Sequence, residues 1–199
     1  MEYDSVILNE ATALFLDESA KPFTFQATQG GVNNHVYYVN SPKLPERLVL
    51  RIYNNGNDVL KVKFEHEVLR QLNQMELSFE LPRCLRLIRD PSKTHATISN
   101  GADAAMFHFI SGTMPKLRLA KQIGLASGEL STAFSRVTIS ELKPVIPPYY
   151  DLYHVHHAIN KELFLEGINS TVYDEYRSYA DILLKNILEL ENKFHSLGS

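Results

Sequence analysis

The order of strand-like and helix-like segments is the feature that most constrains the fold of this chain. Up to about residue 110, short runs rich in valine, isoleucine, tyrosine and phenylalanine alternate with turn residues. From residue 116 onward, apolar residues recur at helical spacing instead. Strands that are segregated from helices along the chain predict an α+β fold in two lobes. Because the connections between the strands are short, the sheet should be mainly antiparallel.

Turn residues divide the first part of the chain into predicted strands. They cover residues 23–28, 35–39, 47–53, 84–89, 94–99 and 104–110, and the last three segments supply two or three strands, for a sheet of about five. Asn100 and Gly101 form a hairpin signal between the last two segments.

Four helices are expected around these strands. They cover residues 5–18, about 59–74, 116–137 and 173–197. Asp4 or Ser5 is the expected N-cap of the first helix. Residues 143–157, which contain three prolines and several aromatic residues, are expected to form an ordered loop.

Composition excludes several classes of protein. The net charge is −3 and the lysines and arginines are scattered, so no nucleic-acid partner is expected. No apolar stretch reaches the ~20 residues that cross a bilayer, and the first residues lack the basic start of a signal peptide, so no membrane partner is expected. The single cysteine, Cys84, allows no internal disulfide and favours a reducing, cytoplasmic location. Its apolar surroundings predict a buried, unreactive thiol rather than a nucleophile.

Three features in sequence order point to phosphate chemistry. The glycine-rich turn at residues 29–34 lies between two predicted strands, where its backbone N–H groups could approach phosphates. Arg51 is a cation on the third predicted strand, and Glu65 lies on the following helix, where it could pair with that cation. A covering loop, a third-strand cation and a helix glutamate are the arrangement of kinase nucleotide sites.

Each of these features has a simpler explanation when taken alone. The glycines could form an ordinary hairpin turn, Arg51 could be a surface charge, and Glu65 could be one of many solvated carboxylates, with Glu67 two residues away. Their common order and spacing favour the phosphate-binding interpretation.

Nearly the whole sequence also resembles the N-terminal half of the aminoglycoside phosphotransferase, choline kinase and homoserine kinase-like superfamily. The similar segments are GGVNNHVYYV at 30–39, LVLRIY at 48–53, EHEVLRQL at 65–72 and the hinge-like AMFHFISG at 105–112. The resemblance implies a kinase-like N-lobe over residues 1–112 and a partial helical C-lobe over residues 113–199. It also implies an ATP site formed by Gly30, Gly31, Asn33, Asn34, Arg51, Glu65, Met106, Phe107 and Phe109. Adenine would bond to backbone groups near residues 107–109, and Met106 or Phe107 would line its pocket.

The sequence departs from the family pattern in two ways. The third-strand cation is Arg51 rather than lysine, and the family's catalytic loop of His-x-Asp-x4-Asn is absent from the 199 residues. Asp181 and Asn186 have the right mutual spacing, but Tyr179 replaces the histidine and the helical pattern is unbroken, which predicts a helix-surface pair. The expectation is therefore a truncated chain that is inactive alone, with Mg²⁺ bound only in a full-length protein.

Three functional hypotheses follow. The first is the N-terminal part of an ATP-dependent kinase whose partner is a small-molecule hydroxyl acceptor, such as an amino acid, an amino alcohol or an aminoglycoside-like compound. The second is a non-catalytic nucleotide- or protein-binding module, and the third is an unrelated α+β binding domain. His154, His156 and His157 could bind metal, but packing or solvated histidines are favoured. The apolar residues of the last helix predict self-association through an exposed helical surface.

Overall fold

The computed structural model describes residues 3–28, 34–54, 58–113, 116–139 and 161–197. The chain divides into two compact units, Met1–Lys143 and Pro144–Ser199. Among the described residues, the first unit holds the sheet and three α-helices, and the second holds two α-helices. The first unit thus contains every predicted site residue that the structure describes.

One five-stranded sheet organises the first unit. The strands are β1 (Thr24–Ala27), β2 (Asn34–Asn40), β3 (Leu48–Tyr53), β4 (His95–Thr97) and β5 (Asp103–His108). Their spatial order is β1-β2-β3-β5-β4, and every neighbouring pair is antiparallel. The predicted α+β fold with a mainly antiparallel five-stranded sheet is confirmed.

One face of the sheet packs against the first helix, α1 (Ser5–Ala13). Alternation along β3 directs Leu48, Leu50 and Ile52 to this face, and all three are buried. Each large apolar side chain buried in this way contributes about 1.5–3 kcal/mol. The Asp4 carboxylate caps α1 by accepting a hydrogen bond from the Ile7 N–H at 3.0 Å, as the sequence predicts.

The opposite face packs against the second helix, α2 (Val59–Leu72). Val62 of this helix is completely buried and clusters with Tyr53, Ala105 and Phe107 of the sheet. The Asp58 carboxylate caps α2 by accepting from the Leu60 N–H at 3.0 Å. The register pairs Arg51 with Ala105 and Val49 with Phe107, so these residues share the α2 face.

The predicted hairpin at Asn100 and Gly101 joins β4 to β5. Gly101 has a φ of 86°, which favours glycine because other residues are strained there. The Asn100 side chain accepts from the Ala102 N–H at 3.0 Å and fixes the turn.

The strand predicted over residues 84–89 is wrong. Only Cys84 forms a bridge, to Phe107, with flanking hydrogen bonds from the Leu85 N–H and to the Arg83 carbonyl. The Ile88 N–H then bonds to the carbonyl of Leu14 after α1 rather than to a strand. The apolar residues of this segment therefore meet the core without extending the sheet.

The remaining helices differ from the prediction mainly at their ends. They are α3 (Ala120–Phe134), α4 (Lys161–Asn169) and α5 (Arg177–Leu197). Short 3₁₀ turns, Leu117–Leu119 and Thr171–Tyr176, occupy the predicted first turns of α3 and α5. The sequence analysis did not predict α4. The predicted loop at 143–157 lies outside the described residues.

The third helix belongs to the same compact unit as the sheet. The Glu129 carboxylate of α3 accepts from the Ser78 N–H at 2.8 Å, and the Gln71 side chain of α2 accepts from the Thr138 N–H at 2.9 Å. The lobe boundary predicted after residue 112 stays a prediction.

Candidate functional site

The candidate site is built around Arg51, on the α2 face of the central strand β3. Arg51 is paired with Val36 on β2 and with Ala105 on β5. Its backbone is fixed because it lies in mid-strand between two neighbouring strands. Since side chains alternate between the two faces of a sheet, the Arg51 side chain is directed to the α2 face. The side chain is 24% exposed, which leaves the cation accessible from one side.

The Arg51 guanidinium donates a hydrogen bond to the Glu65 carboxylate of α2. The predicted pairing of these two residues is confirmed, and their role in nucleotide binding stays a prediction. Glu65 reaches the sheet because it lies beside Val62 and Leu69 on the packed side of α2. Glu67 bonds instead to Arg70 at 2.6 and 2.7 Å, on the other side of the helix.

Two aromatic rings lie next to the Arg51 guanidinium. The Arg51 Cζ atom lies 4.7 Å from the ring centroid of Phe107 and 5.6 Å from that of Tyr53. Both distances are within the range of cation–π attraction. Burial alone would lower the pKa of Arg51, but the charges of Glu65 and Tyr53 outweigh it and raise the pKa, so the guanidinium stays charged.

A buried polar chain holds Tyr53 in place. The Tyr53 hydroxyl lies 3.0 Å from Nε2 of His66, and Nδ1 of His66 lies 2.6 Å from the Thr94 hydroxyl. Burial, with the nearby His95 and Arg51, lowers the pKa of His66 to about 4, so its ring is neutral at pH 7. The sequence analysis did not predict this series of hydrogen bonds. The position of His66 on the apolar stripe of α2 was the signal that could have indicated a buried histidine.

The two phenylalanines of the predicted ATP site occupy different places. Phe107 is buried on the same face as Arg51, whereas Phe109 is half-buried just beyond β5. The Phe109 ring packs edge-to-face on Tyr38 at 5.6 Å. The Arg47 guanidinium lies over both rings, at 4.8 Å from Tyr38 and 5.4 Å from Phe109.

Met106 points to the opposite face of the sheet. The register pairs Met106 with Leu50, and its side chain is completely buried in the core beneath α1. Of Met106 and Phe107, either of which the resemblance implies at the adenine pocket, only Phe107 lies on the Arg51 face.

Most of the glycine-rich turn, including Gly30, Gly31 and Asn33, lies outside the described residues. Asn34 is the first residue of β2, and its side chain accepts from the Asn54 N–H at 3.3 Å. Convergence of the turn with Arg51 and Glu65 stays a prediction.

Cys84 and the Asp181–Asn186 pair, which were considered from the sequence, show no catalytic geometry in the described part of the chain. Burial, with the Glu65 carboxylate, raises the pKa of the Cys84 thiol to about 12, in agreement with an unreactive thiol. Asp181 and Asn186 are exposed on the continuous helix α5, which confirms a helix-surface pair. The three clustered histidines at 154–157 lie outside the described residues.

No cluster of three or more potential metal ligands occurs in the described part of the chain. Among the described residues, no helix is long and apolar enough to span a membrane. The predicted cytoplasmic location stays a prediction.

Comparison with known proteins agrees with this geometry. The sequence model of the phosphotransferase enzyme family (APH) matches residues 24–159. The chain belongs to this family. Membership in the phosphotransferase family excludes the third hypothesis, an unrelated α+β domain whose glycines form only a turn. No curated protein matches the chain significantly.

Two solved structures share the fold. A microcompartment-associated aminopropanol kinase matches with a TM-score of 0.60 at 13% identity, over 73% of this chain and 46% of its own. A spectinomycin phosphotransferase in complex with ADP and spectinomycin matches with a TM-score of 0.51 at 13% identity, over 88% of this chain and 52% of its own. The chain thus spans about half the length of these structures, and the kinase-like fold is shared.

Proposed function

We propose that this chain binds ATP on the α2 face of its sheet, as part of a phosphotransferase that transfers a phosphoryl group to a small-molecule hydroxyl. The observation that carries the proposal is the partly exposed Arg51 guanidinium, held by Glu65 beside the rings of Tyr53 and Phe107. A positioned cation of this kind can bind the negative oxygens of a polyphosphate.

The residues around Arg51 fit both the phosphates and the base of a nucleotide. Half-buried Val36, Val49 and Tyr38 share the face of Arg51, and Phe109 packs on Tyr38. An aromatic and aliphatic surface next to a cation can accept a planar base next to phosphates. When bound, ATP would supply the phosphoryl group, while Arg51 would orient its phosphates and Glu65 would orient Arg51.

The acceptor is proposed as a class. The relatives are named for aminopropanol and for spectinomycin. For this chain we propose a hydroxyl of an amino acid, an amino alcohol or an aminoglycoside-like compound. The second hypothesis, a non-catalytic nucleotide- or protein-binding module, shares the binding step and lacks the transfer step.

Isothermal titration calorimetry with ATP tests the binding step. Arg51→Gln should weaken ATP binding by at least about tenfold, since a charge-assisted contact is lost. Glu65→Gln should weaken it by a smaller factor, because the cation loses its orienting partner. Glu67→Gln is the matched control and should leave the affinity unchanged, since Glu67 pairs with Arg70. Equal ATP affinity in the wild type and Arg51→Gln would refute the proposal.

Phosphate transfer is a separate measurement. We propose that the 199-residue protein binds ATP without phosphorylating hydroxyl compounds, because its sequence contains no His-x-Asp motif to orient an acceptor. Transfer from radiolabelled ATP to a panel of amino alcohols, amino acids and aminoglycosides should stay at background. Transfer that is present in the wild type and lost in Asp181→Ala would show that the exposed pair on α5 acts catalytically.

A further inference from the structure

A second cleft lies on the other side of α2 from the Arg51–Glu65 pair. It is formed between α2 and the segment of residues 83–95, with a volume of about 540 Å³. That volume is within the range of about 300–1,000 Å³ that is usual for small-molecule sites. Leu69 and Cys84 contribute apolar surface to its lining.

The lining of this cleft is strongly cationic. It includes five lysine and arginine side chains and a single carboxylate, that of Glu67. The five cationic residues are Lys63, Arg70, Arg83, Arg86 and Lys93. A cleft lined by charges of one sign raises the local concentration of oppositely charged ligands.

Most of this positive charge is not neutralised within the cleft. The Glu67 carboxylate is paired with Arg70, and Lys93 is paired with Asp90 at 2.9 Å. None of Lys63, Arg83 and Arg86 forms an ion pair with any residue that the structure describes, and Arg86 donates only to the Pro91 carbonyl. Three charges thus face the cleft without a described carboxylate partner, and a bound anion would supply one.

We propose that this cleft binds a small molecule bearing a phosphate or diphosphate group. Guanidinium groups such as that of Arg83 present a planar fork that matches two phosphate oxygens, and Lys63 adds a point charge. The Leu69 and Cys84 surface would contact the organic part of the ligand.

The cleft is separate from the proposed ATP site. None of Arg51, Glu65 and Phe107 lines it. His66 lines the cleft, and its Nε2 lies 3.0 Å from the hydroxyl of Tyr53, whose ring lies beside Arg51. A ligand held by Lys63 and Arg83 would bridge α2 to the 83–95 segment, on the helix that carries Glu65.

Calorimetric titration with inorganic pyrophosphate tests the proposal, using the 199-residue protein with Arg51→Gln so that the proposed ATP site contributes little. We expect saturable binding with a dissociation constant below about 1 mM. Adding Lys63→Gln together with Arg83→Gln should weaken the binding by at least about tenfold. Adding Lys121→Gln, which removes an exposed lysine of α3, should leave it unchanged. Raising the salt concentration should weaken binding to the cleft.

Thermal melts of each variant keep the result interpretable. Lys63, Arg83 and Lys121 have no described ion-pair partners, so the melting temperatures of these variants should be like that of the Arg51→Gln protein. Pyrophosphate should then raise the melting temperature of the Arg51→Gln protein and not that of the protein lacking Lys63 and Arg83. Absence of binding to the Arg51→Gln protein, or equal binding with and without the two cleft cations, would overturn the proposal.

Discussion

His66 shows how a single buried polar side chain can make the stability of the folded protein, and so of the Arg51 site, depend on pH. Its ring is 7% exposed and lies between the Tyr53 hydroxyl and the Thr94 hydroxyl. The charged or titratable groups around it are Arg51 and Tyr53 on β3, His95 on β4 and Cys84. A proton added to this ring would have to be accommodated without solvent and beside Arg51, so the folded protein keeps the ring neutral.

We predict that His66 makes the fold less stable as the pH falls. Its pKa is about 4 in the folded protein, against the ordinary histidine value of 6.5 that applies to the unfolded chain. Between these values the unfolded chain binds more protons, so the stabilisation is complete above about pH 6.5 and is lost as the pH falls toward 4. From about pH 7 to about pH 4.5, the free energy of unfolding should fall by about 2 kcal/mol through this residue.

Urea unfolding at the two pH values checks the His66 prediction. His66→Gln should lower stability at pH 7 and should remove about 2 kcal/mol of the pH dependence seen in the wild type. His108→Gln, at a ring that is 43% exposed, is the control and should keep that dependence. An unchanged pH dependence in His66→Gln would show that the ring is not held neutral by burial.

At the scale of the elements, sequence pattern predicts strands well where alternation and turn residues mark them. The strand before Asn100-Gly101 and the central strand carrying Arg51 lie within the predicted segments, and the strand after Asn100-Gly101 begins one residue before its predicted segment, because alternation and turn chemistry are local properties. The pairing of Arg51 with Glu65 follows from the same order of elements. The prediction of a strand at 84–89 fails because a strand needs a neighbour with a free edge. Beyond the Cys84–Phe107 bridge, the edge of β5 is already paired with β4.

The faces of β5 could not be assigned from the sequence. Nearly every residue of this strand is buried, so no alternation of polar and apolar residues marks its faces. A shift of one residue in register exchanges the positions of Met106 and Phe107. Only the pairing of Val49 with Phe107 in the folded sheet shows that Phe107, and not Met106, lies beside Arg51.

The hairpin between β4 and β5 gives a prediction at this scale. Gly101→Ala should destabilise the protein by about 1–2 kcal/mol, because alanine is strained at a φ of 86°. Gly112→Ala is the matched control: a Cβ there meets no atom within 4 Å, so its effect should be within about 0.5 kcal/mol of zero. Urea unfolding of both variants measures the difference. Equal stabilities would mean that the turn relaxes to accept a side chain.

At the scale of the whole molecule, the second unit presents a helix with an uncovered apolar surface. Tyr179, Ile182, Leu183 and Leu190 of α5 are each about half exposed or more, while Ile187 is buried. Each such side chain left in water forgoes roughly 1.5–3 kcal/mol, a large part of the ~5–15 kcal/mol that stabilises a domain. A contiguous apolar surface of this kind favours association in water.

We therefore predict that the 199-residue protein self-associates through α5. Its weight-average sedimentation coefficient should rise with protein concentration, because a second copy of the chain covers the apolar side chains. Ile182→Lys should shift the protein toward the monomer, since a charge buried without a partner in the contact is costly. Asn192→Lys adds the same charge at an exposed polar position on the opposite side of the same helix and should leave association unchanged. A monomer over the whole concentration range, with a cooperative thermal melt, would contradict the prediction and would mean that the exposed side chains of α5 do not drive contacts between copies.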